Sequence, residues 1–347
     1  MSDHRVAIIR DDRFLEHITG HVHPEHPNRL KAIYRMLDTD FPDGLLRINA
    51  EAATLEQLEL VHTPSYIEKV LKTADYTFSS LAPDTPTSAK TYEAAWLAVG
   101  ACIKGLDALL ADRCDACFAL IRPPGHHALP DRAGGFCIFN NLGVTARYAM
   151  KEHGLRRILI IDWDIHHGNG LNDLFYGEKE VLYLSTHDIG LFPYRGDWEE
   201  TGEGEGRGYT INLPIPRELQ DQEFLQLYHQ ILGPVFRRYN PELVLVEAGF
   251  DAYQDDLVGR SRLTEKAFRG LTRLILDLRA KINAPPILLA LEGGYDPSCL
   301  SRSVKGVLEV LTGKDQEKHF DPNGSDLVVE LLEKARRIHA KFRVWVD

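Results

Sequence analysis

Residues 158 to 170 read ILIIDWDIHHGNG and join an apolar run to a dense polar cluster. The run at 158 to 162 is too continuously apolar for a half-exposed antiparallel strand, so it predicts a strand buried on both faces of a parallel sheet. Five similar runs lie at 6 to 10, 117 to 121, 181 to 185, 243 to 247 and 287 to 291. This pattern indicates an α/β fold.

Segments of helical period separate these runs, which is typical of parallel strands joined by crossover helices. Helices are predicted at 27 to 38, 88 to 111, 140 to 153, 221 to 239, 264 to 281 and 298 to 312. A last amphipathic helix, at about 325 to 341, follows a DPNG turn at 321 to 324 and ends in a basic turn that suits the helix dipole. Because no repeat or long linker divides the chain, we expect a single domain over residues 1 to 347, with 188 to 208 as a glycine-rich insertion or mobile surface loop.

Composition narrows the class of protein. The chain has 347 residues and a formal charge of −11, without a block of like charge, so we expect no direct nucleic-acid binding. No long apolar run occurs, and the start MSDHRVAIIRDDR lacks the apolar core of a signal peptide, which predicts a cytoplasmic protein without membrane contact. The five cysteines are expected to be reduced, and Cys114 and Cys117 to be small buried residues rather than half of a zinc site.

Polar clusters follow five of the predicted strands. In open parallel sheets ligands bind at the carboxyl ends of the strands, because the loops that leave them converge there. The clusters are RPPGHH at 122 to 127, DWDIHHGNG at 162 to 170, STHD at 185 to 188, AGFD at 248 to 251 and EGGYD at 292 to 296. They predict a functional site at this edge of the sheet.

Asp162, Asp164 and His166 alternate with apolar residues, so an extended backbone would present all three on one side. Two carboxylates and an imidazole suit zinc or another borderline divalent ion, and a catalytic zinc usually takes three protein ligands. Asp251, from another strand end, fits the third place if Asp162 is used elsewhere. Taken singly, each of these residues is more readily explained as a cap of a strand-to-helix turn, but that explanation does not suit the whole set.

His126 and His127 are adjacent, and a loop after Pro123, Pro124 and Gly125 could turn both toward that metal. Imidazoles titrate near neutral pH, so the pair would serve as proton-transfer machinery. Tyr295 follows two glycines, which predicts a flexible loop that can bring its phenol to a developing oxyanion. Outside such a cluster, a histidine pair or a tyrosine in a glycine-rich turn is more often structural.

Six motifs in order resemble the zinc-dependent histone deacetylase family, including its bacterial acetoin-utilisation and acetylpolyamine amidohydrolase relatives. They are HPEHPNR (23 to 29), RPPGHHA (122 to 128), GGFCIFNN (134 to 141), DWDIHHGNG (162 to 170), AGFDA (248 to 252) and LEGGYD (291 to 296). The likeness is greatest to the class II branch, where an Asn follows HHG as Asn169 does here. The resemblance implies an arginase-like three-layer α/β/α sandwich around a mostly parallel sheet.

The resemblance also assigns roles to single residues. It implies one catalytic Zn²⁺ per chain bound by Asp164, His166 and Asp251, with His127 as general base, His126 as the supporting imidazole oriented by Asp162, and Tyr295 at the oxyanion. It further implies a structural K⁺ held by the Asp162 side chain, by Ser185 and by the carbonyl groups of Asp164, His166 and Thr186. The residues expected along the substrate channel are Phe136, Phe192, Gly135, Gly294, Val258 at the gate and Asp84 at the rim. Arg29 would line an exit path for the acid product.

These roles lead to a zinc amidohydrolase that removes acetyl or other acyl groups from lysine side chains of proteins or peptides. The main alternative is the same chemistry on a small acylated polyamine, which the apolar gate Val258 disfavours because a polyamine cation needs a carboxylate partner. Two further alternatives are a metal-binding scaffold that only recognises acyl-lysine and arginase-type hydrolysis at two manganese ions. The resemblance leaves the oligomeric state open, a homo-oligomer included.

Overall fold

A parallel sheet of eight strands forms the centre of the protein in the computed structural model, which describes residues 5–315 and 325–346. The strands are β1 Val6–Ile9, β2 Leu46–Arg47, β5 Ala116–Ala119, β6 Ile158–Asp162, β7 Val181–His187, β8 Thr210–Pro214, β9 Leu243–Ala248 and β10 Ile287–Leu291, and a separate antiparallel hairpin is formed by β3 Phe78–Ala82 and β4 Thr85–Ser88. The order across the sheet is β2-β1-β5-β10-β9-β6-β7-β8. The predicted α/β class with a parallel sheet is confirmed.

The six predicted strands are all present, and each is buried along its whole length. Burial on both faces explains why their sequences lack the alternation of a half-exposed strand. Sequence reasoning missed β2, β8 and the hairpin, which lie at the two edges of the sheet or outside it.

Helices flank the sheet and complete the α/β/α layers. Their bounds are α1 Asn28–Asp40, α2 Leu55–Leu58, α3 Pro64–Leu71, α4 Thr91–Leu110, α5 Asn141–His153, α6 Asn169–Leu174, α7 Asp221–Tyr239, α8 Glu265–Arg279, α9 Pro297–Leu311 and α10 Asp326–His339. Side-chain caps begin two helices that adjoin the site: Asn140 accepts from the N–H of Gly143 on α5, and Asp296 accepts from two N–H groups of α9. These caps hold the strand-to-helix turns in place.

The order of the strands brings the site together. The five strands followed by polar clusters, β5, β10, β9, β6 and β7, are consecutive neighbours in the sheet. Because all of them are parallel, their carboxyl ends lie at one edge, and the side chains that follow them converge there.

The segment 188 to 208 lies largely at the surface, as predicted, and is attached to the core by a few buried residues. Trp198 and Thr201 are buried, and Lys334 of α10 lies over the Trp198 ring at 4.7 Å. All five cysteines are free and buried, and Cys114 and Cys117 are thus the small buried residues that the sequence predicts. The predicted DPNG turn at 321 to 324 lies outside the described residues. Within residues 5–315 and 325–346, no helix has both the length and the apolar character needed to cross a membrane.

Candidate active site

Three buried side chains form a candidate metal centre at the carboxyl edge of the sheet. Asp164 and His166 follow β6, and Asp251 follows β9. The Nδ1 atom of His166 lies 3.0 Å from Oδ1 of Asp164 and 2.9 Å from Oδ2 of Asp251. One ligand atom from each residue lies within 4.8 Å of the others, and all three side chains are buried, so they are close enough to share one ion.

The strand itself ends at Asp162, so Asp164 and His166 stand on irregular backbone rather than on an extended strand. The predicted alternation nevertheless persists, because Trp163 and Ile165 are buried in the apolar core. Backbone N–H groups hold both carboxylates: Gly293 donates to Asp164 and Ile165 donates to Asp251. The ligand set is therefore fixed by the loops that surround it.

The centre favours positive charge. Burial lowers the pKa of the His166 imidazole, but the charges of Asp251 and Asp164 outweigh burial and raise it well above its ordinary value. Two carboxylates and one imidazole are ligands that zinc accepts, and three protein ligands leave a position for a reactant. The residues present therefore fit a catalytic zinc ion.

His126 is paired with a carboxylate. Its Nδ1 atom lies 3.1 Å from Oδ2 of Asp162, which also accepts a hydrogen bond from the Tyr183 hydroxyl. Burial lowers the pKa of His126, but the charges of Asp162 and Asp164 raise it to about 10. The surroundings of His126 therefore stabilise an imidazolium.

His127 has a neutral partner instead. Its Nδ1 atom lies 2.9 Å from Oδ1 of Asn169, the first residue of α6. An amide oxygen only accepts, so Nδ1 carries the proton and Nε2 is left as the basic nitrogen. Burial lowers the pKa of His127 well below its ordinary value, and the charges of His126 and His166 lower it further. The two adjacent histidines thus lie in opposite electrostatic environments, with their ring centroids 4.0 Å apart.

Tyr295 lies on the loop between β10 and α9, and its side chain is buried. Burial and the charge of Asp251 raise its pKa well above the ordinary value, so the phenol stays protonated and can donate. Gly294 precedes it with φ +114°, a conformation that L side chains rarely adopt. The Gly294 carbonyl accepts from Nε of Arg29 at 2.6 Å, and the Arg29 guanidinium lies 5.0 Å from the centre of the Tyr295 ring.

Aromatic rings surround the approach to these residues. Phe136 packs edge-on against Tyr295 at 5.6 Å, and Phe192 packs edge-on against His127 at 4.9 Å. Gly135 has φ +57°, and a Cβ there would lie 2.2 Å from the His127 ring and 2.8 Å from the Phe192 ring. The rings can lie this close to the loop only because residue 135 has no side chain.

A cavity of about 480 Å³ opens beside Tyr295, and we call it the mouth cavity because the predicted gate residue Val258 lines it. Val258 is half-buried in its wall and the neighbouring Leu257 is exposed. Asp84 is also near the mouth, where its two oxygens accept from the Gly135 N–H at 3.0 Å and the Thr85 hydroxyl at 2.9 Å. Arg29 lines the cavity, but its guanidinium is bound to Glu25 and to the carbonyl groups of Glu292 and Gly294.

The residues expected around K⁺ also lie together. Asp162 and Ser185 are direct partners in the pairing of β6 with β7, and Thr186 follows Ser185 on β7. The Ser185 hydroxyl lies 2.9 Å from Nδ1 of His187, and the Thr186 hydroxyl lies 2.9 Å from the Tyr228 hydroxyl. The structure thus brings Asp162 next to the candidate metal centre without making it a member of that three-residue group.

Two residues of the site were missed by sequence reasoning. Glu292 accepts hydrogen bonds from the backbone N–H groups of Gly125 and His126 and so fixes the loop that carries both histidines. Asp256 accepts from the backbone of the Tyr295 loop. Both contacts join residues far apart in the chain. Glu292 stands inside the LEGGYD motif and Asp256 shortly after AGFDA, but their positions in the sequence gave neither carboxylate a role.

A model of the histone deacetylase domain matches residues 23–311. The chain belongs to the histone deacetylase family. The matched residues include both histidines, the three candidate metal ligands and Tyr295. This family match confirms the resemblance that the six sequence motifs indicated.

Curated relatives of this histone deacetylase family member include proteins of fungi, bacteria, archaea, plants and a nematode. Histone deacetylase HDA1 of Saccharomyces cerevisiae is 33% identical over 349 residues, which cover 92% of this chain and 49% of that protein. The histone deacetylase-like amidohydrolase of Pseudomonas aeruginosa is 35% identical over 294 residues, which cover 84% of this chain and 77% of that protein. A probable deacetylase of Archaeoglobus fulgidus is 30% identical over 353 residues, covering 97% and 98%. The chain therefore spans about half of the yeast relative and nearly all of the archaeal one.

Among solved structures, the HDA15 HD domain has a TM-score of 0.91 to this chain at 33% identity, covering 99% of this chain and 96% of that one. The similar proteins are named as deacetylases or as an amidohydrolase. The chain is thus a member of a family of amide hydrolases with the fold that its sequence predicted.

Proposed function

We propose that this protein is a zinc-dependent amidohydrolase that removes acetyl or other acyl groups from lysine side chains. The proposal is carried by the buried set of Asp164, His166 and Asp251. Beside it lie two histidines whose pKa values are shifted in opposite directions, upward for His126 and downward for His127. A metal centre, a base and a cationic neighbour in one place are what amide hydrolysis requires.

Zinc is proposed as the metal because the ligands are two carboxylates and an imidazole, and K⁺ as a structural ion beside Asp162, Ser185 and Thr186. Zinc bound at the centre would polarise the amide carbonyl and make water more acidic. The side chains of the protein would transfer the protons and stabilise the developing charge. Nε2 of His127 is the free basic nitrogen, so it takes the proton of the attacking water.

Charge that develops on the carbonyl oxygen needs a donor and a nearby positive charge. The Tyr295 phenol stays protonated and donates to that oxygen. His126 keeps a positive charge because Asp162 faces it, and this charge stabilises the same transition state. The leaving amine takes its proton from the imidazole pair.

The mouth of the site favours a lysine chain over a polyamine. Among the described residues that line the mouth cavity, none is Asp or Glu. Asp84, which accepts hydrogen bonds from Gly135 and Thr85, and the exposed Asp255 lie nearby in the structure, but neither carboxylate lines the cavity. A polyamine would bring further ammonium groups to this mouth, where a cation needs a carboxylate partner.

The test is to compare kcat/KM for an acetyl-lysine peptide and for acetylspermidine, with zinc-loaded protein. The proposal expects the peptide to be favoured by at least about tenfold, which corresponds to roughly 1.4 kcal/mol of transition-state free energy. A tenfold preference for acetylspermidine would overturn the choice of substrate but not the amide chemistry. No turnover of either amide would overturn the proposed activity.

A further inference from the structure

The buried carboxylate of Asp256 connects residues 257–259, here called the gate segment, to the loop that carries Tyr295. Its Oδ1 atom accepts hydrogen bonds from the backbone N–H groups of Val258 at 2.8 Å and Gly259 at 3.1 Å. Its Oδ2 atom accepts from the N–H groups of Tyr295 at 2.6 Å and Asp296 at 3.3 Å. Only 4% of Asp256 is exposed, so water competes little for these four hydrogen bonds.

The loop that carries Tyr295 needs such an anchor. Gly293 and Gly294 precede the tyrosine and have no side chains to hold the backbone, and Gly294 is in the left-handed region at φ +114°. On the side of the loop facing α1, Arg29 donates to the Gly294 carbonyl. The Gly293 N–H already donates to Asp164, and beyond it Asp256 supplies the second contact with the Gly294–Tyr295 peptide, directly at the Tyr295 N–H. The two contacts together fix the backbone on both sides of the Gly294–Tyr295 peptide.

We propose that Asp256 is a positioning residue that holds the Tyr295 phenol in place for catalysis. This inference rests on the proposed function, in which Tyr295 donates to the developing oxyanion. Such a donor is effective only when it lies within hydrogen-bond distance of the position that the oxyanion will occupy. A displacement of about 1 Å in a positioned group can cost on the order of 10²-fold in rate.

The substitution Asp256→Asn tests the contact with little change in shape. An amide offers one oxygen, so it can accept from only one of the two pairs of N–H groups, while its NH₂ group faces the other pair. The Tyr295 loop would therefore lose its anchor or the gate segment would lose its own. The neighbouring residue Asp255 is an exposed carboxylate, and Asp255→Asn is the matched control for the loss of one negative charge.

The experiment is a double-mutant cycle of Asp256→Asn with Tyr295→Phe, measuring kcat, KM, zinc per chain and the thermal midpoint of the zinc-loaded protein. We expect Asp256→Asn to lower kcat by about tenfold or more, since one pair of hydrogen bonds to a buried carboxylate is lost, with KM changed by less than about threefold. In the Tyr295→Phe background, the same substitution should change kcat by less than about threefold, because the group being positioned is already gone. Asp255→Asn should leave kcat unchanged in both backgrounds.

Equal losses from Asp256→Asn in both backgrounds would overturn the inference, because Asp256 would then act independently of the phenol. So would a kcat equal to that of Asp255→Asn for both Asp256→Asn and Asp256→Ala, since alanine removes both oxygens and leaves no orientation that keeps the contact with the Tyr295 loop. If Asp256→Asn yields no folded protein, the cycle is run with Asp256→Glu, which keeps the charge but displaces it, and the same criteria apply. A Tyr295→Phe variant as active as the parent would overturn the proposed role of Tyr295, and this inference with it.

Discussion

The Oδ1 atom of Asn169 lies 2.9 Å from Nδ1 of His127, so the proposed general base is oriented by a neutral amide. The adjacent His126 has a carboxylate, Asp162, at the equivalent nitrogen. This difference in partner makes the pKa values of the two imidazoles differ, because a carboxylate stabilises an imidazolium and an amide does so much less. The pKa of His126 is therefore raised by its carboxylate neighbours, whereas burial and the neighbouring charges lower the pKa of His127.

Replacing Asn169 by Asp should move the acid limb of the pH profile of kcat/KM toward higher pH. A carboxylate would raise the pKa of His127, which burial holds well below its ordinary value in the parent. His127 must be neutral to accept a proton, so a higher pKa means that activity is lost at a higher pH as the medium is acidified. We expect a shift of about one unit or more, as for other close carboxylates.

The matched control for this shift is Asn283→Asp, which adds the same charge at an exposed position before β10. It should leave the acid limb where it is in the parent. An acid limb that does not move in Asn169→Asp would show that His127 is not the base.

Tyr295→Phe should lower kcat by roughly 10² to 10³, the usual cost of removing one oxyanion donor. The phenol is not among the candidate ligands, so the variant should still bind one zinc per chain. Tyr194→Phe is the control, because Tyr194 is 72% exposed. Loss of zinc from Tyr295→Phe would mean that ligand and catalyst have been wrongly assigned.

Asp162→Asn should lower activity by about 10- to 100-fold while the zinc content stays the same, as expected of a residue that orients the groups around a metal. The carboxylate accepts from the N–H of Asp164, contacts His126 and accepts from Tyr183, and is not one of the three candidate ligands. Metal analysis alongside steady-state kinetics separates the two effects. A variant that has lost its zinc would contradict this placement of Asp162.

Glu25→Gln should destabilise the folded protein strongly at neutral pH. Glu25 is fully buried between Arg122 and Arg29, and removing its charge leaves two buried guanidinium groups without their carboxylate. The expected loss in the free energy of unfolding is about 3 to 5 kcal/mol, measured by urea denaturation. Glu68→Gln, which removes an exposed partner of Lys72, should cost less than about 1 kcal/mol.

The difference in the free energy of unfolding between Glu25→Gln and the parent should also depend on pH. Burial alone would raise the pKa of Glu25, but the charge of Arg122 outweighs it and holds the pKa well below its usual value. A depressed pKa in the folded state stabilises the protein above the unfolded-state pKa of about 4.5, and this stabilisation disappears as the pH falls further. A difference that grows between pH 7 and pH 4 would contradict the assignment.

Much of the fold follows directly from local patterns in the sequence. The central strands are apolar throughout because both of their faces are buried, so their positions were predicted within one or two residues. The edge strand β8 reads TINLP and pairs only with β7, and its Asn and Pro are uncommon in strands. The hairpin strands β3 and β4 are rich in Ser and Thr, so neither shows a strong apolar pattern.

The candidate site was predictable as a set of residues but not as a network of contacts. Strand ends in a parallel sheet meet at one edge, so the placement of His126, Asp164 and Asp251 follows from topology. Which partner each side chain takes depends on loop geometry instead. Asp256 and Glu292 act on backbone N–H groups 39 and 167 residues away, and no spacing in the sequence encodes such contacts.

In the proposed function, amide hydrolysis depends on one zinc ion held by Asp164, His166 and Asp251. The most direct test is to strip the protein of metal, verify this by elemental analysis, and follow acetate release from an acetyl-lysine peptide as Zn²⁺ is added back. Tight binding by three protein ligands predicts no activity without metal, a linear rise on addition and a plateau at one equivalent per chain. Full activity of the verified metal-free protein, or a plateau at two equivalents, would contradict it.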